Sequence, residues 1–248
     1  MENRVSGNKI DISYENTLEF FEHRGNGKEL KHKYNYVLFQ DENPELAILR
    51  DSQEKQKISN LLTWNKEEML LDIGCGIGRW GEFILERGVR YIGIDYSKNL
   101  LNIAKKNLES YNNKKLIHGS FQEILSCLSK EEENTKFDKI FINGVMMYLN
   151  DSDLKKGLVD VAALCKESCE IYIKESMALD ERLTLNQIYS ESLTQNYTAI
   201  YRSISEYRRL IETIFGEDGF EIVNEGALFE ETLKNRRETL DYYFVIRR

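Results

Sequence analysis

The chain has 248 residues, 41% of them hydrophobic and 31% charged, enough for one large α/β domain with a cap or for two small domains. No apolar run is long enough to span a bilayer, and Met1-Glu2-Asn3-Arg4 lacks the basic and apolar regions of a signal peptide, so no membrane association is expected. The formal net charge of −8 argues against a nucleic-acid partner, because phosphate backbones require a basic surface. Arg202, Arg208, Arg209 and the pair Arg236-Arg237 are candidates for a local basic patch, against the plainer reading of solvated helix faces. Cys75, Cys127, Cys165 and Cys169 form no zinc-type CxxC pair and no dense disulfide spacing. The expectation is a reduced, cytoplasmic protein with no metal site, monomeric or homodimeric.

Residues 1–60 read as a helical cap. Leu18, Phe20 and Phe21 form an apolar patch after Tyr14, and Arg24 to Lys33 is a soft, charged, glycine-containing stretch. Tyr34 to Phe39 shows hints of period 2. Pro44, the chain's single proline, suits the first position of a helix capped by Asn43 and carrying Leu46, Leu49, Ile58, Leu61 and Leu62.

From Met69 strands and helices alternate. Strands are predicted at Met69–Ile73, Tyr91–Ile94, Lys115–His118, Phe137–Ile142 and Glu170–Lys174. Helices are predicted over 79–87, from Ser97 to about Glu109, over 121–128 and from Asp151 or Ser152, with Lys130 to Lys136 as a charged loop. This rhythm predicts a parallel sheet with helices on both faces. It breaks at Met177–Tyr201, a stretch long enough to form a lid or substrate wall. Ser203-Ile204-Ser205-Glu206 is a capping box that opens a helix to about Phe215. The last two strands, from Phe220 and over Tyr242–Ile246, are joined by a connection too short for a crossover helix. They are expected as an antiparallel hairpin at the sheet edge.

The strongest local signal is Leu71-Asp72-Ile73-Gly74-Cys75-Gly76-Ile77-Gly78-Arg79-Trp80, a buried strand running through a glycine turn into a helix. The glycines permit a sharp turn and the close approach of a ligand. Asp95 ends the next strand, where a carboxylate accepts hydrogen bonds from both ribose hydroxyls of a nucleoside. Two cofactors suit such a turn. A dinucleotide carries a pyrophosphate, which favours a bare helix N-terminus. S-adenosylmethionine carries a sulfonium and an amino group. Asp72, standing at the strand end, repels the first and favours the cationic end of the second. The match Gly76-Ile77-Gly78-Arg79-Trp80-Gly81 to a dinucleotide motif lies too far into the turn. A ligand-free scaffold is the third reading.

Leu71 to Gly78 resembles motif I of class I S-adenosylmethionine-dependent methyltransferases. Ile92-Gly93-Ile94-Asp95-Tyr96-Ser97 resembles their second motif, Phe137 to Val145 their motif IV, and Ile171 to Glu175 their fifth strand. The resemblance implies a Rossmann-like, seven-stranded, mostly parallel sheet with an antiparallel last strand. It divides the chain into a cap or lid (1–60) and a cofactor-binding domain (61–248) with a lid insert at 177–202. S-adenosylhomocysteine would be the product. Carried over by position, Asp95 holds the ribose, Tyr96 and Phe121 flank the adenine, and Gly74 and Gly76 line the methionine portion. Asn143 sits near the sulfonium. Asp72, Cys75, Arg79, Trp80 and Ser97 complete the implied cofactor set. Many relatives carry an acid where Ser120 stands; Ser120 or Gln122 takes that role here, or Ser120 is only a helix N-cap.

Methyl transfer needs a base only when the nucleophile must lose a proton. No residue stands out as one. His118 reads as structural, His23 and His32 as surface residues or bases from the cap, and Glu175 as a carboxylate alternative. Candidate substrate contacts are Tyr14, Tyr34, Phe39, Gln40, Arg50, Met147, Tyr148, Glu175, Tyr197, Tyr201 and Arg202. Phe39 to Arg50 with Gly76 to Trp80 is also similar to methyltransferases of bacterial capsule and surface-polysaccharide biosynthesis. That similarity implies O-methylation of a small sugar-linked or phosphoramidate-type precursor. An anionic oxygen acceptor would need no base and would be held by Arg50, Arg79 or Arg202. The alternatives are an N- or O-methyltransferase of an amino sugar or other small metabolite, and a non-catalytic binding subunit. An RNA or protein methyltransferase is disfavoured by the acidic charge and by the lack of an Asn-Pro-Pro-Tyr-like sequence after strand four.

Overall fold

The computed structural model describes residues 3–26, 30–130, 135–234 and 236–248. The chain opens with β1 (Arg4–Ser6), α1 (Tyr14–Asn26), α2 (Asn35–Leu38) and α3 (Pro44–Leu61). There follow β2 (Met69–Ile73), α4 (Arg79–Leu85), β3 (Arg90–Asp95), α5 (Lys98–Asn107), β4 (Lys114–His118), α6 (Ile124–Ser129), β5 (Phe137–Asn143), α7 (Asp151–Ala163) and β6 (Cys165–Ala178). The chain ends with β7 (Leu183–Ser190), β8 (Gln195–Tyr201), α8 (Ile204–Phe215), β9 (Glu221–Ala227) and β10 (Thr239–Arg247).

The main sheet has seven strands in the order β4-β3-β2-β5-β6-β10-β9. Pairings are parallel from β4 to β6, and β10 runs antiparallel to both β6 and β9. Alternation along the strands divides the core. Leu71, Ile73, Ile92, Ile94, Ile140 and Ile142 pack with α7 and α8, while Leu70, Tyr91, Phe141, Tyr172 and Val245 face α3 and α4. Such doubly covered strands read as near-continuous apolar runs, which is why the strands from Met69 onward were legible. The Ser203–Glu206 capping box forms, and Asn43 Oδ1 accepts from the Leu46 N–H ahead of Pro44.

Several expectations are corrected. Tyr34 to Phe39 is not extended: α2 is one helical turn, too short for periodicity to report, with Phe39 left-handed at φ 54°. Helix α1 continues through Gly25, where an added Cβ would lie 2.6 Å from Asn99 Cβ on α5, so glycine there allows close helix packing. Helix α3 does not bury Leu49, which is 44% exposed; it buries Arg50, Asp51, Glu54 and Lys55 in ion pairs. Residues 121–128 divide into a 3-10 turn and α6. Strand β6 is far longer than Glu170–Lys174. Of the expected loop from Lys130 to Lys136, residues 131–134 lie outside the described residues. The stretch Met177–Tyr201 is a β-hairpin, and β1 joins it as the order β1-β7-β8.

Candidate active site

The turn after β2 and the end of β3 form one hydrogen-bonded unit. Gly74, Gly76 and Gly78 have φ of 74°, 54° and 77°, the left-handed region that side chains resist. The N–H groups of Gly74 and Cys75 donate to Ile94 O at 2.8 and 3.0 Å. The Gly76 N–H donates to Asp95 Oδ2 at 2.7 Å, and the Ser97 N–H to Oδ1 at 2.8 Å. Each carboxylate oxygen keeps a further acceptor position, so Asp95 can still receive hydroxyl donors. Burial pushes the Asp95 carboxyl up to about 6, opposed by those backbone donors.

This unit forms the floor of a cavity of ≈460 Å³ at the carboxyl ends of the parallel strands, the usual ligand position in open α/β sheets. On one side it is lined by Asp95, Tyr96, Leu100, Gly119, Ser120, Phe121 and Gln122. Ser120 makes no capping hydrogen bond. Asp72, Gly74, Cys75, Gly76, Arg79, Trp80 and Asn143 line the centre. Both polar atoms of the Asn143 amide and Nε1 of Trp80 are buried without a hydrogen-bond partner among the described residues. Buried polar atoms of this kind normally find partners, so these are unmet donors and acceptors in residues that line the cavity.

Asp72 accepts from the Tyr91 hydroxyl at 2.8 Å; burial raises its carboxyl to about 7, opposed by that bond. Beside it, one guanidinium nitrogen of Arg79 lies 2.8 Å from both Asp51 Oδ1 and Glu54 Oε2. Burial opposes the Arg79 charge, but Glu54 and Asp51 outweigh it and raise the guanidinium. Arg79 therefore joins the glycine turn to α3.

The remaining lining comes from the N-terminal segment, the turn after β5, the end of β6, the hairpin, and the start of β10 with the chain before it. It contains Tyr14, Phe39, Gln40, Arg50, Met147, Tyr148, Tyr197 and Tyr201, all singled out in the sequence, together with Lys174, Ser176, Arg236 and Asp241, which were not assigned to the site. Asp241 accepts from Ser176 Oγ at 3.0 Å and pairs with Lys174 at 2.8 Å and with Arg50. Burial opposes the Asp241 charge, but Lys174 and Arg50 hold its carboxyl well below the ordinary range. The available signal was a charge inside an otherwise apolar strand, as in Ile171-Tyr172-Ile173-Lys174 and in Asp241 ahead of Tyr242-Tyr243-Phe244.

Other candidates have different surroundings. Tyr34 is outside the cavity and donates to Glu82 Oε2 at 3.2 Å. Ser97 is the α5 N-cap, accepting from the Leu100 N–H, and does not line the cavity. His23 lies in a separate smaller cleft, and His32 and His118 line neither. Glu175 is fully buried; its carboxylate accepts the N–H groups of Val145 and Met146, both at 2.9 Å, and of Met147 at 3.3 Å. Arg202 is also fully buried, donating to Asp151 Oδ1, to Met146 O at 2.9 Å and to Leu149 O at 2.6 Å. Glu175 and Arg202 thus clamp the turn that carries Met147 and Tyr148, and neither side chain lines the cavity. The surface basic patch does not assemble either: Arg202 is buried, Arg208 pairs with Glu225, and Arg236 faces the cavity.

Residues 70–168 match the methyltransferase domain family. The match runs from β2 to the start of β6. The acid at the end of β3 and the glycine turn present a surface that fits a cationic nucleoside. The chain is 27% identical over 162 residues to phosphoethanolamine N-methyltransferase 1 of Triticum aestivum, covering 63% of this chain and 31% of that enzyme. The match thus spans well under two thirds of the relative. The methyltransferase fold is shared with Haemonchus contortus phosphoethanolamine N-methyltransferase 1, solved with phosphoethanolamine and S-adenosylhomocysteine. The TM-score is 0.70 at 17% identity, over 92% of this chain and 47% of that one. A Leishmania major S-adenosylmethionine-dependent methyltransferase superposes with TM-score 0.62 at 20% identity, over 94% and 82% of the two chains.

Proposed function

We propose that the protein transfers a methyl group from S-adenosylmethionine to a small-molecule acceptor, by O-methylation of a capsule or surface-polysaccharide precursor of sugar-linked or phosphoramidate type. The observation that carries the methyl-transfer reading is the single cavity reaching from the acid-flanked glycine turn to an aromatic and cationic wall. When bound, S-adenosylmethionine supplies a sulfonium methyl: an acceptor lone pair forms the new bond to carbon while the carbon–sulfur electron pair returns to sulfur, leaving a neutral thioether. Asp95 holds the ribose hydroxyls. Gly74, Gly76 and Asp72 receive the cationic amino-acid end, Tyr96 and Phe121 flank the adenine, and Ser120 or Gln122 meets its polar edge. Asn143, whose buried amide lacks a partner among the described residues, stands near the reacting end.

In this reading residues 1–60 act as a lid and 177–202 as a second wall over the domain 61–248. Together they exclude water and align the reactants, the main contribution a protein makes to such a displacement. None of the three histidines lines the cavity, and Glu175 is occupied by three backbone donors. The site therefore suits an oxygen that is already ionised. The capsule assignment rests on the similarity of residues 39–50 and 76–80.

A second reading, N-methylation of a small metabolite, is favoured by the N-methyltransferase relatives. The test is S-adenosylhomocysteine formation on a screen of nucleotide sugars, phosphorylated small molecules and amines. Turnover of anionic-oxygen acceptors is expected. Turnover of amines alone establishes the second reading, and failure to bind S-adenosylmethionine by calorimetry overturns both.

A further inference from the structure

Three cationic side chains line the cavity, Arg50, Lys174 and Arg236, with Asp241 as the acid between the first two. Nε of Arg50 is buried without a partner among the described residues, although the side chain is only 5% exposed. Arg236 stands apart from Asp241's pairs. Its guanidinium carbon lies 5.4 Å from the Tyr197 ring centroid and 5.5 Å from that of Tyr201, and it donates to the Tyr201 hydroxyl. Among the described residues no carboxylate pairs with it. The Tyr201 hydroxyl donates on to Tyr197 at 3.3 Å, and the Tyr197 and Tyr148 hydroxyls are 2.9 Å apart.

Resting on the methyl-transfer reading, we propose that Arg236, held by the rings of Tyr197 and Tyr201, forms with Lys174 and Arg50 a subsite for a phosphate-class anionic group of the acceptor. A guanidinium held between aromatic rings and lacking an acid is costly when desolvated, and a ligand anion relieves that cost. Arg50, Lys174 and Arg236 outnumber Asp241; the other acids of the facing segment are Asp41, which pairs with Arg24, and the exposed Glu42. The excess of cations suits a phosphate-class group, which carries about −1.5 to −2 at neutral pH. The Arg236 fork and the Lys174 ammonium supply donors from different directions, as a tetrahedral oxyanion requires. Burial pushes the Tyr148, Tyr197 and Tyr201 phenols up, so they stay neutral and add no negative charge beside Arg236. The subsite begins beside the proposed reacting end, since Lys174 is in register with Asn143 across β5 and β6.

The test is calorimetry on the full chain saturated with S-adenosylhomocysteine, titrated with inorganic phosphate or with acetate at constant ionic strength. Phosphate is expected to bind more tightly than acetate. Arg236→Gln weakens phosphate binding by about tenfold or more, the loss of a charge-assisted hydrogen bond. Arg236→Lys falls between, and Arg209→Gln, on an exposed position of α8, leaves binding unchanged. Unaltered S-adenosylhomocysteine affinity in each variant shows that the fold is intact. No phosphate binding to the wild type, equal binding to Arg236→Gln, or preference for acetate overturns the subsite. If S-adenosylhomocysteine itself fails to bind, the methyl-transfer reading falls, and titration of the ligand-free chain with phosphate still decides the subsite.

Discussion

The backbone N–H of Gly76 donates to Asp95 Oδ2 at 2.7 Å, so the glycine turn and the acid at the end of β3 form a single rigid element. In Asp95→Asn one carboxylate oxygen becomes an NH₂ group facing a backbone N–H. Donor then meets donor, and a ribose acceptor is lost. S-adenosylhomocysteine affinity measured by calorimetry should fall by about tenfold or more. An unchanged affinity would remove Asp95 from the site.

The same region makes stability depend on pH. Burial raises Asp72 and Glu175 to about 7 and Asp95 to about 6. In the unfolded chain these groups titrate near about 4. Between those limits the folded ligand-free protein binds more protons than the unfolded chain, so their contribution to stability falls as pH rises from about 4 to 7. The opposite contribution of Asp151 and Asp241, whose carboxyls are held low, is lost only at more acid pH. The thermal midpoint should therefore decline between pH 5 and 7, and Asp72→Asn should flatten that decline. A midpoint that rises across this window in the wild type contradicts the assignment.

Ligand affinity should run the other way. Protonating Asp95 removes an acceptor from the ribose hydroxyls, so S-adenosylhomocysteine binding should weaken as pH drops below about 6. Calorimetric titrations across that pH range read this directly, and a flat profile counts against the ribose role.

Arg202→Ala should act on the fold. The substitution leaves carbonyl oxygens of Met146 and Leu149 without their donor and Asp151 without one of its guanidinium partners. A loss of about 3–5 kcal/mol in urea unfolding is expected, the range for breaking a buried pair. By contrast His23→Ala, in the outer cleft, should lower kcat far less than the ~10²-fold expected for removal of a general base.

Gly74→Ala and Gly144→Ala separate backbone strain from crowding. Both positions have positive φ, 74° and 67°. An added Cβ at Gly74 would lie 2.1 Å from Val145 Cγ2, whereas at Gly144 it would meet nothing within 4 Å. Gly144→Ala should therefore show only the left-handed backbone cost of roughly 1–2 kcal/mol. Gly74→Ala should cost more and also impair S-adenosylhomocysteine binding. Equal stability losses would show that the Val145 contact yields freely.

The sequence by itself determined those features whose partners lie within a few residues or follow a short period. These include the buried strands, the Asn43 and Ser203 caps, the glycine turn with Asp72, and the edge hairpin of β9 and β10. Dihedral preference, capping and alternating burial are local, so they leave local patterns. Only the tertiary structure decided what the charged and aromatic residues do. Arg202 and Glu175 clamp a turn, Arg50 and Lys174 share Asp241, Arg236 lies against Tyr197 and Tyr201, and β1 joins a hairpin about 180 residues away. A charged side chain takes its role from the partner and the solvent exclusion around it, and both are set by segments that meet only when the chain folds.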